Sequence, residues 1–129
     1  MNNKINILVV EDEQALLEAI RIKLEQTGFS VVSARTVEQA CSLLLDLKDV
    51  RAIWLDYYLL GQENGLDLVA KVKNQPEFKK IPIFVVSNTA SPDKVKTYLN
   101  LGASKYYTKS NYRLEEIIKD LKTYLKNPE

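Results

Sequence analysis

Short apolar runs alternate along the chain with longer stretches whose apolar residues recur every three or four positions. Residues 5–10 form the first run and predict a strand; residues 13–27 follow with Leu16, Leu17, Ile20 and Leu24 at helical spacing. Gly28 stands where a helix end favours glycine. Residues 30–34 predict a second strand. Thr36-Val37-Glu38-Gln39 has the spacing of a capping box, and Val37, Ala40, Cys41, Leu44 and Leu47 carry the apolar stripe of a second helix. Residues 52–55 predict a third strand, and residues 66–74 a third helix, stopped by Pro76.

The same unit repeats in the second half. Residues 81–86 are β-branched and aromatic and read as a buried strand, with Pro82 near its start. Ser91-Pro92-Asp93 opens a helix with a capping serine, a proline at the first helical position and an acid in the first turn. Val95, Tyr98 and Leu99 supply its apolar face, and Gly102 ends it. Residues 105–108 form the last strand. Leu114, Ile117, Ile118, Leu121 and Leu125 mark one face of the final helix, whose acids lie early and bases late, as the helix dipole favours.

Five strands alternating with five helices imply a single α/β domain over residues 1–129, with its core about residues 5–125: a five-stranded parallel sheet covered on both faces. Right-handed crossovers leave few arrangements. The expected one is the flavodoxin-like (βα)5 three-layer sandwich of order 2-1-3-4-5, in which ligands bind beyond the carboxyl ends of the strands. Glu11, Asp12, Asp56 and Ser87 fall at those ends and should converge.

Composition narrows the function without deciding it. Lysine plus arginine (18) nearly balance aspartate plus glutamate (17), for a net charge of +1, so nothing asks for nucleic acid or an anionic membrane as partner. The single cysteine, Cys41, excludes an intrachain disulfide and suits a reducing, cytoplasmic setting. No apolar run is long enough to span a bilayer, and no signal-peptide pattern opens the chain. After Leu125 four residues remain, so the sequence reads as a stand-alone domain or as one cut from a longer chain.

The chemistry lies in the acids. Like charges held close repel unless one takes a proton or a cation sits between them. Glu11, Asp12 and Asp56 at one sheet edge therefore suggest a divalent metal of the oxygen-preferring kind, magnesium above all. A dinucleotide site would need glycines where Glu11 and Asp12 stand, and these acids would repel its phosphates. A haloacid-dehalogenase-type phosphatase would need a second aspartate two residues after the nucleophile, where this chain has Tyr58.

Leu8-Val9-Val10-Glu11-Asp12-Glu13, Asp56 after the third strand, Ser87 after the fourth, and Gly102-Ala103-Ser104-Lys105-Tyr106-Tyr107-Thr108-Lys109 resemble, in order and spacing, the receiver domain of two-component response regulators. The resemblance spans about residues 5–125. It implies that Asp56 accepts a phosphoryl group from a phosphohistidine of a partner histidine kinase or phosphotransfer protein. Asp12 would ligate magnesium directly and Glu11 through water or as a supporting acid. Asp56 and the backbone carbonyl of Tyr58 would complete the protein's ligands. Lys109 would pair with one phosphoryl oxygen and Ser87 donate to another, while Tyr106 would switch rotamer as Ser87 moves. Tyr58 and Thr89 would flank the approach of hydrolytic water.

The resemblance also implies a signalling domain that phosphorylates and dephosphorylates itself, rather than a turnover enzyme. Its output would pass to a downstream protein or effector domain through a face made by the fourth helix, fifth strand and fifth helix. That face would present Tyr98, Lys105 and Tyr106. Three departures mark this chain. Ser110 replaces the usual proline, often cis, after the lysine; since a non-proline cis bond costs about 3 kcal/mol, a trans or rearranged loop is expected. Leu59-Leu60 replaces leucine-proline, with Gly65 one residue farther on, and Tyr57-Tyr58 is bulky beside the acceptor. A receiver-like interaction module that signals without phosphorylation is the alternative.

Overall fold

In the computed structural model, the described residues are 4–56, 64–88 and 91–126. The strands are β1 (Asn6–Val10), β2 (Ser30–Ala34), β3 (Val50–Asp56), β4 (Ile83–Ser87) and β5 (Lys105–Thr108). The helices are α1 (Gln14–Gln26), α2 (Val37–Leu47), α3 (Gly65–Asn74), α4 (Pro92–Leu101) and α5 (Leu114–Lys126). All four strand pairings are parallel, in the expected order β2-β1-β3-β4-β5.

The two-residue period of the strands divides the apolar residues between two cores. Leu8, Val10, Ile53, Leu55, Ile83 and Val85 face a cluster with residues of α2, α3 and α4, including Ala40, Leu44, Leu68 and Tyr98. Ile7, Val9, Ala52, Trp54, Phe84 and Val86 face Leu17, Ile20 and Leu24 of α1 and Ile117, Ile118 and Leu121 of α5. Strands buried on both faces become continuous apolar runs, which is why β1, β3 and β4 stand out in the sequence. Each fully buried aliphatic side chain contributes roughly 1.5–3 kcal/mol.

Most helix ends follow their sequence signals with local changes, but Ser91, at the N-cap position of α4, makes no side-chain capping bond among the described residues. Thr36 Oγ1 accepts from the Gln39 backbone N–H (3.1 Å), but the Gln39 side chain returns to the N–H of Arg35 (2.8 Å), one residue before the cap. A reciprocal capping box, Asn64 with Asp67, opens α3 (2.7 and 3.1 Å). Gly28 (φ 103°) and Gly102 (φ 121°) adopt the left-handed backbone that favours glycine just beyond α1 and α4. β3 is longer than its apolar run because pairing with both neighbours extends it to Val50 and Asp56. β4 begins at Ile83, after Pro82, and includes Ser87.

The apolar face expected of α4 needs correction. Leu99 is 43% exposed, whereas Tyr98 is 0% exposed and so is not presented on the outer face. Its ring packs 5.7 Å from that of half-buried Tyr106. An α4 of ten residues has one fully buried position to seal its side of the sheet, and Tyr98 reaches across to α3 from it. A Cβ added to Gly65 would lie 2.5 Å from the Tyr98 hydroxyl.

Gly65→Ala should therefore lose about 1–3 kcal/mol through overpacking, despite alanine's better helix propensity. Combined with Tyr98→Phe, which removes the clashing oxygen, most of that loss should be recovered. Urea unfolding of the two single variants and the double variant reads the coupling; strictly additive losses would refute this contact as the cause.

Candidate functional site

Register brings the site together. Val10 pairs with Leu55, so Glu11 leaves β1 beside Asp56, the last residue of β3. Ser87 ends β4 opposite Thr108, which places Lys109 next to both. The Glu11 N–H donates to the Ala34 carbonyl (2.9 Å), fixing the backbone where β1 ends. One carboxylate oxygen from each of Glu11, Asp12 and Asp56 lies within 4.8 Å of the others. For these three acids, the convergence expected from the strand ends is present.

Lys109 Nζ donates to Asp56 Oδ1 at 3.0 Å, closing the cluster on its other side. The Lys109 N–H donates to the Ser87 carbonyl (2.7 Å), and the Asn111 N–H donates to that of Thr108 (2.9 Å). Those bonds hold the segment after β5 as a turn. No cis peptide occurs among the described residues. Ser110 thus sits in a trans loop, one of the two arrangements expected, and Lys109 still reaches the Asp56 carboxylate. Ser87 is completely buried.

Glu11 is 1% exposed and has two distinct oxygens. Oε2 accepts from the Glu13 N–H (3.0 Å) at the start of α1, so one oxygen does the helix-capping work any acid there could do. Oε1 is buried, with no donor facing it among the described residues. Either a proton shared with Asp56 or a cation would remove that deficit. Burial is the main force raising the Glu11 pKa to about 7; the Glu13 N–H opposes it, and the Asp56 charge adds to it. Burial also raises the Asp56 carboxyl above its ordinary value, while the hydrogen bond and charge of Lys109 pull it back. Three hard-oxygen donors facing one ammonium, with one buried oxygen undonated, fit a divalent cation.

Arg35 escaped notice in the sequence. Its guanidinium donates to the Asp12 carbonyl (3.0 Å), steadying the loop between β1 and α1. No sequence signal marks a contact between residues 23 positions apart. Tyr58, Thr89 and the Tyr57 to Leu60 rim lie outside the described residues.

Comparison with known proteins gives the family. The profile of the response regulator receiver domain matches residues 7–122, and the chain belongs to that family. It is 31% identical over 120 residues to the phosphate regulon transcriptional regulatory protein PhoB of Pseudomonas aeruginosa, covering 93% of this chain and 51% of that one. It thus spans about half the length of that relative. It is also 31% identical to chemotaxis protein CheY1 of Helicobacter pylori, with coverages of 80% and 83%. The phosphorylated cyanobacterial phytochrome response regulator RcpA superposes with a TM-score of 0.84 at 25% identity, covering 98% of this chain and 96% of that one. A signal receiver domain of a histidine kinase from Syntrophus aciditrophicus gives 0.84 at 26% identity, with coverages of 96% and 92%. The protein is a two-component signalling domain. Among the described residues, no helix is long and apolar enough to cross a membrane.

Proposed function

We propose that Asp56 is a magnesium-dependent phosphoacceptor, loaded from a phosphohistidine on a partner histidine kinase or phosphotransfer protein. The observation that carries this reading is the buried Asp56 carboxylate, held at 3.0 Å by Lys109 on one side and faced by Glu11 and Asp12 on the other. A carboxylate oxygen of Asp56 attacks phosphorus, and the phosphorus–nitrogen bond breaks. Its electron pair stays on the imidazole of the donor, which then takes up a proton. Asp56 becomes an acyl phosphate.

Asp12 and Asp56 would hold magnesium directly, together with the carbonyl of Tyr58, while Glu11 acts through water or as a supporting acid. When bound, magnesium supplies positive charge against the phosphoryl oxygens and the crowded carboxylates. Lys109 exchanges its bond to Asp56 for one to a phosphoryl oxygen. Ser87 donates its hydroxyl to another, and Tyr106 follows as the switch. The domain, residues 1–129, then acts in the cytoplasm on a downstream protein or effector domain, without touching nucleic acid itself. The output face of α4, β5 and α5 includes Lys105 and half-buried Tyr106; Tyr98 supports Tyr106 from beneath.

The test is intact-mass spectrometry after incubation with magnesium and acetyl phosphate. The native chain should gain one phosphoryl group and Asp56→Asn none. Equal uptake by both chains, or none by the native one, would sink the assignment and favour an interaction module that works without phosphorylation.

A further inference from the structure

β3 is buried throughout except at Arg51. The cause is a register shift: Asn6 pairs with Val50 but Ile7 with Ala52, leaving Arg51 as an extra residue against β1. Such a bulge turns a side chain out of the regular alternation. Arg51 emerges at the pole of the sheet opposite the acid cluster, on the rim of a cleft of about 290 Å³. Exposed Lys80 forms the rim with it.

The backbone that carries each cation is set by a specific device: the bulge at Arg51, and a clamp around Lys80. The ammonium of Lys73 donates to the carbonyls of Lys79 (2.9 Å) and Ile81 (3.1 Å), clamping the backbone on either side of Lys80. The floor is apolar, made by Val50, Ile81, Pro82, Tyr124 and Leu125. The Tyr124 ring is seated edge-on against Phe84, with centroids 5.4 Å apart. No carboxylate lines the cleft among the described residues. Nearby Asp49 accepts from the Asn6 side chain (2.9 Å).

We propose that this pole is a docking cleft for a protein segment in which carboxylates flank an apolar side chain. The floor has room for one such side chain and its neighbouring backbone, and the two rim cations complement acids on either side. A nucleic-acid backbone would use the cations and leave the apolar floor unused, so an acidic peptide fits better. The cleft lies away from Asp56, and the proposal is independent of phosphorylation.

NMR titration of the full chain with an acetylated, amidated hexapeptide, Asp-Glu-Leu-Phe-Asp-Glu, tests it. Saturable shifts should appear at the amides of Val50, Arg51, Ile81 and Leu125. The double variant Arg51→Glu with Lys80→Glu should bind about tenfold more weakly, and the corresponding double glutamine variant should fall between. Asp56→Asn should bind like the native chain. Absence of shifts, equal binding of Lys-Lys-Leu-Phe-Lys-Lys, or unchanged affinity in the charge-reversed variant would overturn the proposal. So would a DNA duplex that displaces the peptide and binds the same amides more tightly.

Discussion

Lys109→Ala is expected to take up phosphate from acetyl phosphate about a hundredfold more slowly than the native chain. Two effects of the ammonium are lost together. Lys109 Nζ donates to the nearly buried Asp56 carboxylate, and its charge opposes the burial that raises the Asp56 carboxyl. Without it, less of Asp56 is ionised and nucleophilic at a given pH. The phosphoryl oxygens also lose a fixed donor in the transition state. Lys109→Arg should recover part of the rate, since the charge returns with a larger, planar head group. Initial rates of mass increase at saturating magnesium measure this, and an alanine variant within threefold of native would remove Lys109 from the chemistry.

Glu11→Gln should make the magnesium-free protein more stable at pH 8, by about 2–3 kcal/mol. The sign follows from proton binding. A carboxyl raised from 4.5 to about 7 on folding holds its proton more tightly in the folded chain than in the unfolded one. Stability from this group is therefore full below pH 4.5 and falls as pH rises through 7. The raised Asp56 carboxyl adds to the loss in the same direction. Glutamine keeps an oxygen for the Glu13 N–H and carries no charge. In a chelator, its melting temperature should exceed the native one by on the order of 10 °C at pH 8, and the gap should close near pH 4.5. Magnesium should raise the native midpoint more than that of the variant. A gap that ignores pH, or has the opposite sign, would mean that Glu11 is not a buried carboxylate under strain from its charge.

On these expectations the acid cluster opposes the stability of the metal-free fold and favours a cation. That opposition was readable in outline from Glu11, Asp12 and Asp56, because each ends an apolar run and parallel strands deliver their carboxyl ends to one edge. The sequence could not say that Glu11 divides its two oxygens between a helix N–H and an undonated interior. Such a division depends on which backbone groups folding brings near.

By itself, the alternation of apolar runs and helical stripes determined the five strands, the five helices and a parallel sheet covered on both faces, with 2-1-3-4-5 as the expected order that the structure then showed. Continuous apolar runs mean burial on both faces, and right-handed crossovers leave little topological choice. Ser110 already implied a trans or rearranged loop, but only the folded chain shows the turn bonds from Lys109 to Ser87 and from Asn111 to Thr108, with the ammonium still reaching Asp56. Tyr98 and Leu99 are adjacent apolar residues on one helix, and composition cannot choose between them. The space above Gly65 and beside Tyr106 took the larger ring and left Leu99 outside. Arg51 drew no notice in the sequence, and only pairing with β1 makes it a bulge. Register, packing volume and contacts between distant residues are properties of the folded chain, and they decided what local pattern had left open.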